Sequence, residues 1–135
     1  MKYLLDTNTC IYIINKKPRK VLNRLRASQP GSVAISMIGI AEIYYGAYQG
    51  DEAYRTKNLQ AVQLFLTPFA ALPFEQSDAE QFGKFKALLR QHGTMLPDLD
   101  IAIAAQASTR KLILVTNDTR HFKQVPGLKI VNWSD

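Results

Sequence analysis

An α/β fold, with a parallel sheet of about four to five strands and helices on both faces, is predicted by three features of this 135-residue chain. Short apolar runs of strand length recur along it: KYLL at 2–5, SVAI at 32–35, LILV at 112–115 and LKIV at 128–131. Helical stretches separate these runs, as a parallel sheet covered on both faces requires. No repeat, low-complexity tract or linker divides the chain, and its length suits one domain spanning 1–135.

Taken in order, residues 2–5 read as a short buried strand. Helical patterns follow over about 9–15 and 18–28, with Pro18 suited to the first turn of the second. The β-rich stretch at 32–35 comes next, and Ser36 is placed to N-cap a helix over about 37–49. A helix over about 52–66 precedes a short apolar stretch near 69–72. Ser77-Asp-Ala-Glu80 has the capping-box pattern and opens a helix to about Gln91, with Gly93 just beyond its end. Pro97-Asp98 starts a helix to about Thr109. Residues 112–115 form the clearest strand, and 128–131 the last.

Composition narrows the function classes. Hydrophobic residues make up 47% and charged residues 21%, which describes a globular chain rather than a disordered one. No apolar run approaches the roughly 18 residues that cross a bilayer, and MKYLLDTNTC lacks the layout of a signal peptide. A soluble, cytoplasmic protein without membrane contact is expected. The single Cys10 rules out an internal disulfide framework or a multi-Cys zinc site and reads as a small core residue.

The placement of charge says more than the net +6. Residues 1–41 hold seven basic side chains and one acid, Asp6, which follows the apolar Tyr3-Leu4-Leu5. Glu42 lies in IGIAEIYYGA, Asp98 and Asp100 in LPDLDIAIAAQA, and Asp118 directly after LILVTN. The six other acids (Asp51, Glu52, Glu75, Asp78, Glu80, Asp135) sit in polar surroundings that need no special account. A carboxylate in an apolar setting must stay neutral or be compensated by hydrogen bonds or a cation. Asp6 and Asp118 both fall at the carboxyl ends of predicted strands, the edge where open parallel sheets place their sites. Asp100 shares its helix face with Ile103, Ala104 and Ala107, so it points inward.

Hard oxygen donors without nearby Cys or His select Mg²⁺ or Mn²⁺ over zinc. Such ions promote phosphoryl transfer, and a basic surface around an acidic, metal-loaded pocket is the electrostatic pattern of a nuclease. Structural roles compete with this reading. Asp6-Thr-Asn8 fits an Asx-turn, Asp118 fits a cap on a short helix over 120–122, and Asp98 fits an N-cap. Nucleotide-binding glycine loops are absent. Asp6-Thr7-Asn8-Thr9 resembles the aspartyl-phosphate motif of haloacid-dehalogenase-like phosphatases, but Asn8 stands where that chemistry needs a second Asp. His92 reads as a surface residue, and His121 borders the pocket beside Asp118 without metal-ligand spacing.

Four motifs together resemble the PIN-domain ribonucleases of the VapC type, the toxin half of bacterial toxin–antitoxin pairs. They are LLDTNTCIY at the start, S-x-x-x-x-A-E-I-x-x-G around Glu42, D-x-x-I-A-A-x-A from Asp100, and L-V-T-N-D-x-x-x-F from Leu114 to Phe122. The closing GLKIVNW resembles the family's last strand. The resemblance implies a PIN-like three-layer fold in which Asp6, Glu42, Asp100 and Asp118 hold Mg²⁺ or Mn²⁺ and form the catalytic set. It leaves Asp98 as a possible ligand, and Thr7, Asn8, Thr116 and Asn117 as groups that orient the carboxylates or a water, or simply form turns.

The implied activity is metal-dependent hydrolysis of structured RNA, tRNA first among candidates, leaving a 5′-phosphate and blocking translation and growth. A cognate VapB-type antitoxin and a homodimer are the implied protein partners. The helix around Glu42, with Tyr44, Tyr45 and Tyr48, and the helix after it are the expected contact surfaces. Lys16, Lys17, Arg19, Lys20, Arg24 and Arg26 form the densest basic run. With Arg90, Arg120 and Lys123 they are the candidates for RNA phosphates, or else solvated faces. A PIN nuclease of RNA processing and a catalytically inactive RNA-binding module are the alternatives.

Overall fold

The computed structural model describes residues 1–135. Its centre is a five-stranded sheet in the order β3-β2-β1-β4-β5, every neighbouring pair parallel. The strands are β1 (Tyr3–Leu5), β2 (Val33–Ser36), β3 (Ala70–Leu72), β4 (Ile113–Val115) and β5 (Ile130–Val131). The register sets Leu4 beside Ala34 and Leu114, and Leu5 beside Ile35 and Val115. Successive strand side chains face opposite sides, so the first three enter one core and the last three another. Burial on both faces is why these strands read as continuous rather than alternating apolar runs.

The first core is closed by α5 (Gln76–Gln91), α6 (Asp98–Thr109) and the short α7 (Thr119–Phe122), through Phe85, Leu89, Ile103, Ala104 and Phe122. The second is closed by α1 (Thr7–Asn15), α2 (Arg19–Ala27), α3 (Met37–Gln49) and α4 (Arg55–Leu66), through Cys10, Ile13, Val21, Ile43 and Val62. Residues Ile101–Ala107 of α6 are all buried. That helix is therefore enclosed on every side, and its four alanines keep it slim enough to fit.

Several expected boundaries shift for local reasons. α1 begins at Thr7 because Asp6 caps it, its carboxylate accepting from the Thr9 N–H at 2.8 Å. Pro18 is the N-cap of α2 rather than part of its first turn. The stretch near 69–72 does form a strand, β3, at the sheet edge, where Ala70 and Ala71 are exposed and leave a weak hydrophobic signal. β5 is only two residues long.

The expected capping box at Ser77–Glu80 is wrong in register. α5 opens on Glu75, whose N–H donates to the Asp78 carboxylate at 2.8 Å. Asp78 was also misplaced as a polar-surface acid, for it is completely buried. Arg110, at the end of α6, donates to it at 2.6 Å, and Thr109 adds its hydroxyl. Burial pushes the Asp78 carboxyl up, but the hydrogen bonds from Arg110, Thr109 and the Glu75 backbone outweigh it and hold the pKa below the usual carboxylate value. Arg110 also donates to the Pro73 carbonyl and to Glu75, so one guanidinium ties the start of α5 to the end of α6. An acid with this partner set is a structural clamp.

Candidate active site

The carboxyl ends of β1, β2 and β4 lie side by side, and the chain leaves each of them into a capped turn or helix. Asp6 ends β1 and caps α1. Ser36 ends β2 and caps α3 by accepting from the Ile38 N–H at 3.0 Å, which sends Glu42 down that helix. Thr116 and Asn117 follow β4, and Asp118 caps α7, accepting from the His121 N–H at 3.4 Å. The cap reading of Asp118 holds, Asp6 caps α1 where an Asx-turn was expected, and both residues still line the cavity described next.

That cavity, about 250 Å³, is bordered by Asp6, Thr7, Asn8, Glu42, Asp100 and Asp118, with Pro97 and Phe122 as its apolar wall. All four acids expected at the site line this one cavity, from four different elements. No Lys or Arg borders it. Asp6 is buried, which raises its pKa. Hydrogen bonds from Thr116 and Thr9 offset part of that, and the Asp118 charge adds to the rise. Asp100, in the first turn of α6, is pushed up to about 6, first by burial and then by the charges of Glu42, Asp6 and Asp118, with His121 opposing. Cys10 lies just beneath, fully buried, its thiol pKa raised by burial and by Asp6, and so it is inert.

Neighbouring side chains hold these acids in place. The Thr7 hydroxyl donates to Glu42 at 2.6 Å. Thr116, fully buried, accepts from the Asp118 N–H at 3.0 Å. Asn117 does not line the cavity and donates to the Tyr12 hydroxyl at 2.6 Å. Asn8 is exposed at the rim. His121, expected only to border the pocket, places Nδ1 2.8 Å from Asp118 and is the one basic group engaged with the set.

Asp98 does not join them. It is the first residue of α6 rather than its cap, it is exposed, and it pairs with Lys86 on α5 at 3.0 Å. Two residues apart on a helix is a rotation of about 200°, so Asp98 and Asp100 face opposite ways.

The candidate RNA-contacting residues do not form one patch. Lys16, Lys17, Arg19 and Lys20 are exposed around the α1–α2 junction, and Arg90 is exposed at the end of α5. Arg120 and Lys123 are exposed on and just after α7, flanking His121. Arg24 and Arg26 are in the last turn of α2. Arg24 sits 5.9 Å from the Trp133 ring centre and lines a recess with Lys2 at the amino ends of the strands, the edge opposite the cavity.

As they stand, no three of the carboxylates converge tightly enough to enclose an ion. Glu42 is held by Thr7 and Asp118 by His121. The donor set nevertheless fits a hard divalent cation: it is all oxygen, anionic and lacks a Lys or Arg counterion.

The PIN domain family model matches residues 3–128. Among relatives, Ribonuclease VapC2 of Haemophilus influenzae is 38% identical over 133 residues, covering 98% of each chain. The tRNA(fMet)-specific endonuclease VapC of Shigella flexneri is 36% identical over 134 residues, covering 99% of each. Among solved structures, DNA-bound VapBC from Salmonella typhimurium matches with a TM-score of 0.91 at 34% identity, over 98% of each chain. The chain belongs to the PIN-domain family and, within it, to the VapC ribonucleases.

Proposed function

We propose that this protein is a divalent-metal-dependent endoribonuclease that cleaves structured RNA, tRNA first, and acts as the toxin of a toxin–antitoxin pair. The observation that carries the reading is the convergence of Asp6, Glu42, Asp100 and Asp118 on one cavity that no Lys or Arg enters. Four mutually repelling carboxylates are costly unless a cation compensates them. Asp6, Asp100, Glu42 and Asp118 would hold Mg²⁺ or Mn²⁺, which when bound neutralises phosphate charge and makes water nucleophilic. The protein's own contribution is to orient the acids. Thr7 fixes Glu42, Thr9 and Thr116 steady Asp6, and His121 steers Asp118. Phe122 and Pro97 give the cavity an apolar wall. The tRNA preference draws on the Shigella flexneri relative, a tRNA(fMet)-specific endonuclease.

An apolar groove of about 280 Å³ between α1, α3 and α4 supports the antitoxin partner. Ile11, Ile14, Ile43 and Val62 line it, and Glu42 borders both the groove and the carboxylate cavity. An antitoxin segment laid in the groove would thus reach the acids and set a basic side chain among them. Tyr45, Tyr48 and Leu64 stand exposed on α3 and α4 and suit a second copy or the partner.

The test is sequencing of RNA ends after brief expression, paired with purified protein and tRNA in Mg²⁺ or EDTA. Discrete 5′-phosphorylated ends that appear with Mg²⁺ and vanish with EDTA are expected. Cleavage that persists in EDTA overturns the metal reading, and intact RNA under every condition overturns the nuclease.

A further inference from the structure

The edge of the sheet opposite the cavity carries positive charge that the proposed reaction does not use. Lys2, Lys111 and Lys129 stand at the amino ends of β1, β4 and β5, and Arg24 reaches the same edge from α2. Lys2 and Arg24 line a recess of about 490 Å³ below β1 and β2. Lys111 and Lys129 line another of about 160 Å³ below β4 and β5. No acid lines either recess, and none of the four cations is ion-paired.

Helix-end compensation does not account for them. α2 and α6 end at this edge, and each C-terminus carries roughly half a negative charge. About one charge of the four is thereby offset, and about three remain. Adjacent strands lie about 4.8 Å apart, so the edge from β2 to β5 runs roughly 14 Å. One nucleic-acid strand presents a phosphate about every 3.4 Å of helix rise, so the edge is long enough to face several successive phosphates.

We propose that this basic edge is a second RNA-contact surface, gripping the phosphate backbone that flanks the cleaved segment without reading bases. The inference rests on the ribonuclease reading above. Lys2 and Asp6 are about 13 Å apart along β1 at strand rise, on opposite edges. An oligonucleotide just long enough to fill the cavity leaves the basic edge empty, whereas a folded RNA broader than the domain meets both.

The test compares wild type with K2Q/K111Q/K129Q, three surface changes outside the cavity, and with the charge-conserving K2R/K111R/K129R. Binding of a labelled tRNA is measured in EDTA from 50 to 200 mM KCl, and cleavage of a short oligonucleotide is measured in Mg²⁺. The Gln variant should bind tRNA at least tenfold more weakly at 100 mM KCl. Its log–log salt slope should be shallower by about 2, at roughly 0.7 per lost single-strand contact. Short-oligonucleotide cleavage should be unchanged, and the Arg variant should restore tRNA binding. Unchanged tRNA affinity and slope overturn the proposal, as does an equal loss on the short oligonucleotide. Binding of wild type to anionic vesicles that the Gln variant loses, with tRNA binding intact, also overturns it in favour of a membrane surface. A wild type that cleaves neither RNA in Mg²⁺ defeats the ribonuclease reading instead, whatever the binding shows.

Discussion

Asp6 joins two roles that a sequence presents as rivals: it caps α1 through the Thr9 N–H and it lines the cavity. Asn caps as well as Asp does, so Asp6→Asn should fold normally while RNA cleavage falls by at least about 100-fold, as gel assays of the folded variant would show. Losing a ligand should cost at least what losing a group that orients one does. Asp100 tells the same story in its ionisation. Its folded pKa of about 6 stands above the unfolded value of about 4, so in the metal-free protein its charge costs stability. The sign follows directly: the cost is absent below pH 4, grows as pH rises to about 6, and is constant above. Asp100→Asn should therefore raise the melting temperature in EDTA by about 3–6 °C at pH 8, with a smaller gain at pH 5. Thermal scans at the two pH values check this.

At the scale of elements, the helix entrances explain most of what local sequence could and could not reveal. Ser36 was legible as a cap because a Ser ahead of an apolar helical run needs no distant partner. Asp78 was not legible, because its burial depends on Arg110, 32 residues away in sequence. Removing one member of such a buried pair strands the other. Asp78→Ala should cost about 3 kcal/mol, read from urea unfolding at pH 7. The Asp78 pKa is lowered on folding, so its contribution is present above about pH 4. That contribution is lost as the pH falls through the folded value, and the gap between variant and wild type should narrow there. The groove on the other face offers a separate test. A Cβ at Gly46, which lines that groove, meets nothing within 4 Å, so the bulky, uncharged Gly46→Leu should keep the fold and the cleavage activity. It should also abolish neutralisation by the antitoxin, measured as recovered cleavage when antitoxin is titrated in.

The whole molecule is electrically divided. Seventeen basic residues face eleven acids, and four of those acids are gathered in one cavity, so the remaining surface is far more positive than +6 suggests. On the proposed reading the arrangement trades stability for a site: the metal-free domain carries its repulsion at the carboxyl edge of the sheet, and a bound divalent ion would relieve it. Mn²⁺ at 100 times its dissociation constant should stabilise the folded state by about 2.7 kcal/mol. Thermal unfolding with and without Mn²⁺ measures this, and the gain should be absent in Asp6→Asn.

The sequence by itself determined the α/β class, the helix and strand order, and the four acids, because each rests on short-range pattern. Apolar runs of strand length, helical periodicity and acids inside apolar motifs are all visible within a dozen residues. Only the tertiary structure decided what depends on direction and distance. The inward face of Asp100 was legible from its helical neighbours, but only the structure sent Asp98 out to Lys86 on another helix. It converted Asp78 from a surface acid into a buried clamp by supplying Arg110. And it split the basic residues between the α1–α2 junction, α7 and the far edge of the sheet, because parallel strands return the chain to the same edge after every helix and so gather residues that are far apart in sequence.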